Sequence, residues 1–217
     1  MSAVMLWQGN LPDVNRREAL RYAGVKEETP EMAALLEECL TLCSDRIAPR
    51  ACYARYPVGR VDGRLDLGFA QTDSVALARN LAGCREIVLL AATVGLEMDR
   101  LIARYAHLSP ARSVVLQGIG TERIESLCDA FENDLINQGL LLRPRFSPGY
   151  GDLPLELQRD IFAALDCPRQ IGVSLNESLL MTPSKSVTAI IGLGKEQGGK
   201  CVHNCALCTL EECLYRR

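Results

Sequence analysis

Apolar residues recur at helical spacing along much of the chain. The stretch VNRREALRYAG favours a short helix ending at Gly24. After Pro30, apolar residues at i, i+3, i+4 and i+7 predict an amphipathic helix that stops near Pro49; they are Met32, Leu35, Leu36, Cys39, Leu40, Cys43 and Ile47. Two further helices are expected, from about Leu96 to Ala106 and from about Pro110 to Asn137. The longer one should bury a single stripe made of Val114, Ile124, Leu127, Phe131 and Leu135.

Apolar runs between these helices indicate strands. ACYARYPV and RLDLGF predict two strands with a turn around Asp62 and Gly63, and EIVLLAATVG is typical of a buried strand. TDSVALARNLAGC predicts a helix whose cap is Thr72, Asp73 or Ser74. IGVSL and SVTAIIGL favour late strands on either side of ESLLMTPSK.

The irregular alternation of strands and helices predicts an α+β fold. We expect one domain over residues 1–194, with a bent, mostly antiparallel sheet flanked by helices. The polar, glycine-rich GKEQGGK that begins near Gly194 indicates a hinge. Residues 195–217 would then form this hinge and a short Cys-rich tail.

The segment LLLRPRFSPGYGDLPLELQRDIFAAL, residues 140–165, combines stiffness with positive charge. Pro144 and Pro148 each fix a φ angle, and Gly149 permits a turn or a close approach of the backbone to a ligand. Arg145 offers a planar fork of donors suited to a carboxylate, and Tyr150 adds an aromatic face and a hydroxyl. The pattern fits a loop that binds a small zwitterion, and it also fits a proline-rich connection whose arginine faces water.

Composition narrows the class of protein. The 217 residues carry a formal net charge of -3, which gives no electrostatic basis for nucleic-acid binding. No signal peptide stands at the start, and no apolar run approaches the ~20 residues of a membrane span, so we expect a soluble, cytoplasmic protein without a membrane partner. Six of the ten cysteines are scattered through apolar segments and are expected to be buried free thiols: Cys39, Cys43, Cys52, Cys84, Cys128 and Cys167.

Several ordered motifs resemble one known family. RFSPGYGDLP is similar to the Arg-x-x-x-Gly-Tyr signature of the activation domain of cobalamin-dependent methionine synthase. LNESLLMTPSKSV resembles that family's Thr-Glu-Ser…Met-x-Pro…Ser-Val stretch, and LCDAF its Leu-x-Glu-Ala-Phe. The likeness covers about residues 12–192, and the cysteine-bearing tail is similar to short stand-alone relatives of the domain.

The resemblance implies a function. The activation domain binds S-adenosylmethionine beside the cobalamin of its partner, so that one-electron reduction of cob(II)alamin is trapped by methyl transfer. The resemblance implies that the protein contributes by positioning the methyl group of S-adenosylmethionine next to the cobalt. The implied partners are a cobalamin-binding methionine synthase or another corrinoid protein, and an electron donor such as a flavodoxin or ferredoxin.

The resemblance also assigns residues to a cofactor-binding site. Arg145 would contact the carboxylate of S-adenosylmethionine, Ser147 and Gly149 belong to the ligand loop, and Tyr150 matches the motif tyrosine. Asp129 stands where the family has a glutamate and would face the ammonium or sulfonium, with Glu125 as the alternative one turn earlier. The stretch with Glu177, Ser178 and Lys185 is implied to lie near the cofactor surface. The family's N-terminal aspartate contact and its last tyrosine-bearing strand have no match here.

The tail CVHNCALCTLEEC places four thiols at C-x3-C-x2-C-x4-C spacing. Cys201, Cys205, Cys208 and Cys213 could surround one metal, because short loops lose little closure entropy. Thiolates suit zinc or an iron-sulfur cluster, and the spacing does not choose between them. A set of free thiols is the alternative, and His203 is a substitute ligand. The first three cysteines also have the spacing of the cluster loop of radical S-adenosylmethionine enzymes, but we do not expect that fold, because only four residues follow Cys213.

No acid-base catalytic group stands out, so three functions remain open. The first is a reactivation subunit for a cobalamin-dependent methionine synthase. The second is a reactivation factor for another corrinoid methyltransferase, with the cysteine tail as electron relay. The third is a non-catalytic module that binds S-adenosylmethionine or a corrinoid protein.

Overall fold

An antiparallel sheet of five strands forms the centre of the computed structural model, which describes residues 3–194. The strand order is β1-β2-β6-β10-β7, and the strands are β1 (Met5–Leu6), β2 (Arg50–Pro57), β6 (Glu86–Thr93), β7 (Leu141–Leu142) and β10 (Ser186–Gly194). Every pairing in this sheet is antiparallel. Two small sheets accompany it, formed by β3 (Gly59–Val61), β4 (Arg64–Asp66) and β5 (Gln71–Thr72), and by β8 (Ser174–Leu175) and β9 (Met181–Thr182).

Helices cover both faces of the central sheet. They are α1 (Arg16–Tyr22), α2 (Pro30–Cys43), α3 (Val75–Asn80), α4 (Leu96–Leu108), α5 (Pro110–Asn137), α6 (Leu157–Leu165) and α7 (Cys167–Ile171). Strand β6 is buried along almost its whole length because it has helices on each side. Its Val88, Leu90 and Ala92 join the core under α1, α2, α4 and α5, whereas Ile87, Leu89 and Ala91 join the core under α3, α6 and α7. The predicted α+β class with a mostly antiparallel sheet is therefore confirmed.

Several predicted elements have different bounds. The helix that begins at Pro30 ends at Cys43, not near Pro49. The turn at Asp62 and Gly63 exists, with φ values of 51° and 82°, but it joins β3 to β4, while β2 pairs with β1 and β6. IGVSL is only partly a strand, because Ile171 closes α7 and β8 is limited to two residues. The short strands β1 and β7 were not predicted, since two-residue strands leave no periodic signal.

The buried stripe of α5 is confirmed at four of its five predicted positions. Ile124, Leu127, Phe131 and Leu135 are buried, but Val114 is 50% exposed and its neighbour Val115 is buried instead. Val114 precedes Leu127 by thirteen residues, which places the two about 140° apart around a helix of 3.6 residues per turn. The scattered cysteines are free as predicted, and five of the six are buried, with Cys84 at intermediate exposure.

The N-terminal segment lies against α5. Glu122 and Arg123 form a buried ion pair on that helix. The Arg123 guanidinium donates to the carbonyls of Pro12 (2.6 Å) and Asp13 (3.0 Å), and Glu122 accepts from the backbone N–H of Asn15 at 3.0 Å. These bonds satisfy both charges, as a buried pair requires.

Candidate functional site

The arginine-tyrosine loop, residues 143–152, continues the edge of the central sheet. The backbone N–H of Arg143 donates to the carbonyl of Gly192 at 2.8 Å, and Phe146 exchanges two backbone hydrogen bonds with Ile190 at 2.8 and 2.9 Å. Because successive side chains of an extended segment alternate, Arg145 and Phe146 point to opposite faces of the sheet. Phe146 packs with the core under α3 and α6, and Arg145 reaches α5.

Arg145 lies among three carboxylates of α5. Its Nη2 is 2.8 Å from Asp129 Oδ1 and 3.2 Å from Glu125 Oε2, and its Nη1 is 3.5 Å from Glu132 Oε2. The arginine side chain is only 12% exposed, whereas that of Asp129 is 53% exposed. The structure thus brings together the two residues predicted for the ligand's opposite charges, Arg145 and Asp129, and joins them to each other. It also includes Glu125, the alternative acid.

Helix geometry explains the cluster. Glu125, Asp129 and Glu132 follow the i, i+4, i+7 spacing, which puts them on one stripe of α5. Glu132 was not predicted, although this spacing is visible in the sequence once Asp129 is taken as a site residue. When all three acids are ionised, they exceed the single guanidinium by two negative charges.

Burial sets the ionisation of this cluster. Desolvation raises the pKa of Glu132 to about 7, with Asp129 and Glu125 adding to the rise and Arg145 opposing it. Desolvation would lower the pKa of Arg145, but Cys128 and the three carboxylates outweigh it, so the guanidinium stays protonated. Burial also raises the pKa of the Cys128 thiol to about 12. This thiol is therefore a packing group and not a nucleophile at neutral pH.

The Gly-Tyr turn, residues 147–151, follows Arg145 in the same loop. Gly149 has φ +87° and donates its N–H to the carbonyl of Leu153 at 2.9 Å, while the N–H of Tyr150 donates to the carbonyl of Ser147 at 3.1 Å. The Tyr150 ring meets Phe146 edge-on at 6.2 Å between centroids and is 47% exposed. The turn is therefore held by its own backbone hydrogen bonds and places the Tyr150 ring at the surface.

Asp152 is a second residue that the sequence reasoning missed. Its carboxylate accepts hydrogen bonds from Ser74 and from two backbone N–H groups at the start of α3. The Ser74 bond lowers the pKa of Asp152, and the two backbone bonds act in the same direction. Aspartate is a preferred capping residue when it stands directly before a helix, but Asp152 caps a helix that lies more than seventy residues earlier in the chain, which the sequence does not reveal.

Glu177 lies elsewhere on the surface. It is exposed and lines a groove of about 560 Å³ with Arg159, Phe162, Asp166 and Asn176 among others. Within residues 3–194, no described contact joins Glu177 to Arg145 or its carboxylates. Lys185, in contrast, contacts α5. Its Nζ donates to the hydroxyl of Thr121 at 3.0 Å, one turn of the helix before Glu125.

The predicted metal ligands Cys201, Cys205, Cys208 and Cys213 lie outside the described residues. Within residues 3–194, no group of three or more His, Cys, Asp or Glu side chains is arranged to hold a metal ion. In the same part of the chain, no helix has both the length and the apolar character needed to cross a membrane.

Comparison with known proteins finds a likeness among solved structures. No family model matches the chain, and no curated protein matches it. The chain is similar to the crystal structure of the MetH reactivation domain bound to AdoHcy, with a TM-score of 0.63 and 17% sequence identity. The superposition covers 91% of this chain and 80% of that chain. The two proteins therefore share a fold, which agrees with the resemblance that the motifs had indicated.

Proposed function

We propose that this protein binds S-adenosylmethionine and supports the reductive methylation of cob(II)alamin on a cobalamin-dependent methionine synthase. The observation that carries the proposal is the likeness over 91% of the chain to a reactivation domain bound to AdoHcy. The Arg-x-x-x-Gly-Tyr motif adds to it, because its arginine and tyrosine occur in one loop that pairs with β10 at the edge of the central sheet.

The charge of the α5 cluster supports a cationic ligand. S-adenosylmethionine carries a sulfonium, an ammonium and a carboxylate, so its net charge at neutral pH is positive. A site with surplus carboxylates around Arg145 attracts such a molecule. AdoHcy lacks the sulfonium charge and should bind less tightly.

Binding of the ligand would exchange partners within the cluster. Asp129 is half-exposed and is held by one contact of 2.8 Å to Arg145. In the proposed complex, the ligand carboxylate replaces Asp129 on the guanidinium, and Asp129 turns to the ligand ammonium. Each charge keeps an opposite partner throughout, which avoids the cost of a desolvated lone ion. Ser147, Gly149 and Tyr150 would contact the remainder of the ligand, and Glu177 would face the corrinoid partner.

The protein's contribution to reactivation is positional. Reduction of cob(II)alamin by a flavodoxin or ferredoxin is followed by methyl transfer from the sulfonium, and the chain holds the methyl donor against the partner's cofactor. A different corrinoid methyltransferase as the client, or a purely binding role, are the competing functions.

A reactivation assay tests the proposal. The chain is mixed with cob(II)alamin-loaded methionine synthase, S-adenosylmethionine and a reductant, and methylcobalamin is followed by its absorbance. We expect methylcobalamin to form faster than in the reaction without the chain. Equal rates would overturn the reactivation role. Calorimetric binding of S-adenosylmethionine without any gain in rate would point to another client or to a binding module.

For the tail, we propose one bound zinc ion or iron-sulfur cluster on Cys201, Cys205, Cys208 and Cys213. Protein purified without oxygen should contain iron or zinc, as measured by elemental analysis. A variant in which Cys205 and Cys208 are replaced by serine serves as the control and should lose the metal. Absence of both metals from the unaltered protein would return these residues to free thiols.

A further inference from the structure

Helix α3 forms hydrogen bonds with both ends of the arginine-tyrosine loop. At the start of α3, the Asp152 carboxylate accepts from Ser74 Oγ (2.5 Å), from the N–H of Val75 (2.8 Å) and from the N–H of Ala76 (3.1 Å). Ser74 itself accepts from the N–H of Leu77 at 3.0 Å. The first three amide groups of the helix are therefore satisfied, and two of them by a residue far away in the chain.

The opposite end of α3 holds the beginning of the loop. Asn80 Nδ2 donates to the carbonyl of Pro144 at 3.2 Å, immediately before Arg145. Arg143 Nη2 donates to the carbonyl of Ala82 at 2.8 Å, just beyond the helix. The loop is thus fixed to α3 on both sides of Arg145 and the Gly-Tyr turn.

Close packing reinforces the contact near Asp152. Gly151 has φ +56°, and a Cβ at this position would lie 3.0 Å from the Cβ of Ala76. The helix is a firm base for this contact, because Leu77 and Leu81 are buried in the core on that face of the sheet. A loop that rests on a buried helix has fewer conformations to lose when it binds a ligand.

Given the proposed function, on which this inference rests, we propose that Asp152 is a positioning residue for S-adenosylmethionine. It does not touch the ligand. By capping α3, it holds the Gly-Tyr turn and the Arg145 segment in the shape that receives the ligand. Loss of this cap is expected to weaken binding through added loop disorder.

Hydrogen exchange and calorimetry on three variants test this role. In Asp152→Ala, the amides of Val75, Ala76 and Gly149 should exchange faster. The dissociation constant for S-adenosylmethionine should rise roughly five- to tenfold, which is the fold-change expected if the stability lost with the cap is lost in full from binding. Asp152→Asn keeps one acceptor and should give an intermediate result for both measurements. Asp160→Ala removes the same charge from α6 and should match the unaltered chain.

The two measurements separate this inference from the proposed function. If the unaltered chain does not bind S-adenosylmethionine, the proposed function fails, and the exchange rates alone decide whether Asp152 holds the loop. If the chain binds the ligand and Asp152→Ala leaves the dissociation constant unchanged, Asp152 is not a positioning residue. Faster exchange in α3 with unchanged exchange at Gly149 would also overturn it, because the helix and the turn would then move independently.

Discussion

The two halves of the arginine-tyrosine loop are stabilised in different ways. Arg145 lies among Glu125, Asp129 and Glu132, where carboxylates outnumber the cation and one of them is largely buried. The Gly-Tyr turn instead directly precedes Asp152, whose carboxylate accepts three hydrogen bonds at the start of α3. The half around Arg145 has an excess of negative charge that a cationic ligand can neutralise. The half around the Gly-Tyr turn is held in one conformation by hydrogen bonds. Affinity and selectivity for a cation should depend on the first, and the rigidity of the site on the second.

Among the changes in this loop, Arg145→Ala should have the largest effect on stability and on ligand binding. It leaves three neighbouring carboxylates without their cation, one of them on the 13%-exposed side chain of Glu132. The free energy of unfolding should fall by roughly 3 kcal/mol, as when one member of a buried pair is removed. Binding of S-adenosylmethionine should weaken by roughly 1.5–3 kcal/mol, the value of a hydrogen bond to a charged group. Urea unfolding and calorimetry measure the two losses.

Arg143→Ala is the matched control for that change. This arginine is two residues away and donates to the carbonyl of Ala82, but it forms none of the ion pairs with α5. Its replacement should cost about 1 kcal/mol of unfolding free energy, because this hydrogen bond is exposed to solvent. Equal losses in the two variants would mean that the carboxylate cluster contributes nothing particular.

Glu132→Gln should have a smaller effect that depends on pH. The pKa of Glu132 is raised to about 7 from 4.5, so the folded state keeps a proton that the unfolded state releases. This contribution to stability is complete below pH 4.5 and is lost as the pH rises to about 7. Because one pKa unit corresponds to about 1.4 kcal/mol, the variant should be more stable than the unaltered chain at pH 8 by about 1–3 kcal/mol.

Urea unfolding at several pH values between 5 and 8 checks this prediction. The difference between the two proteins should widen as the pH rises, since the glutamine has no proton to release. Glu125→Gln also removes a carboxylate from Arg145, but at a more exposed position, and serves as the matched control. A difference that stays constant with pH would show that Glu132 does not titrate in this range.

Asp152→Ala should lower the free energy of unfolding less than Arg145→Ala does. Its bonds are at the surface of a six-residue helix, so a loss of about 1 kcal/mol in unfolding free energy is expected. A loss as large as that of Arg145→Ala would mean that the turn, and not the charge cluster, stabilises the loop.

The sequence predicted the fold where the pattern is long and periodic. The 28-residue helix α5 and the buried strand β6 were found with nearly correct bounds, because many residues repeat the same signal. Helix α7 and strands β1 and β7 were missed, since each is too short to show a period. Short elements form because their neighbours in space pair with them, and a sequence does not reveal those neighbours.

The sequence named residues for a candidate site but not the contacts among them. The motif identified Arg145 and Tyr150, and it suggested Asp129 or Glu125 as the acid. Only the structure places both acids on the same guanidinium and adds Glu132. The link between Asp152 and Ser74 joins residues 78 apart in sequence, so no local pattern could have revealed it. The ligand roles of these residues, and of Glu177, remain predictions.

The bonds between Arg123 and residues 12 and 13 have a practical consequence for engineering. A shortened polypeptide that begins at Asn15 would strand two donors of a guanidinium in the interior. It would also lose the Trp7 indole, which donates to Asp134 at 2.7 Å. In a fusion protein, the linker should therefore be joined before Trp7, so that residues 7–13 can still form their hydrogen bonds with α5.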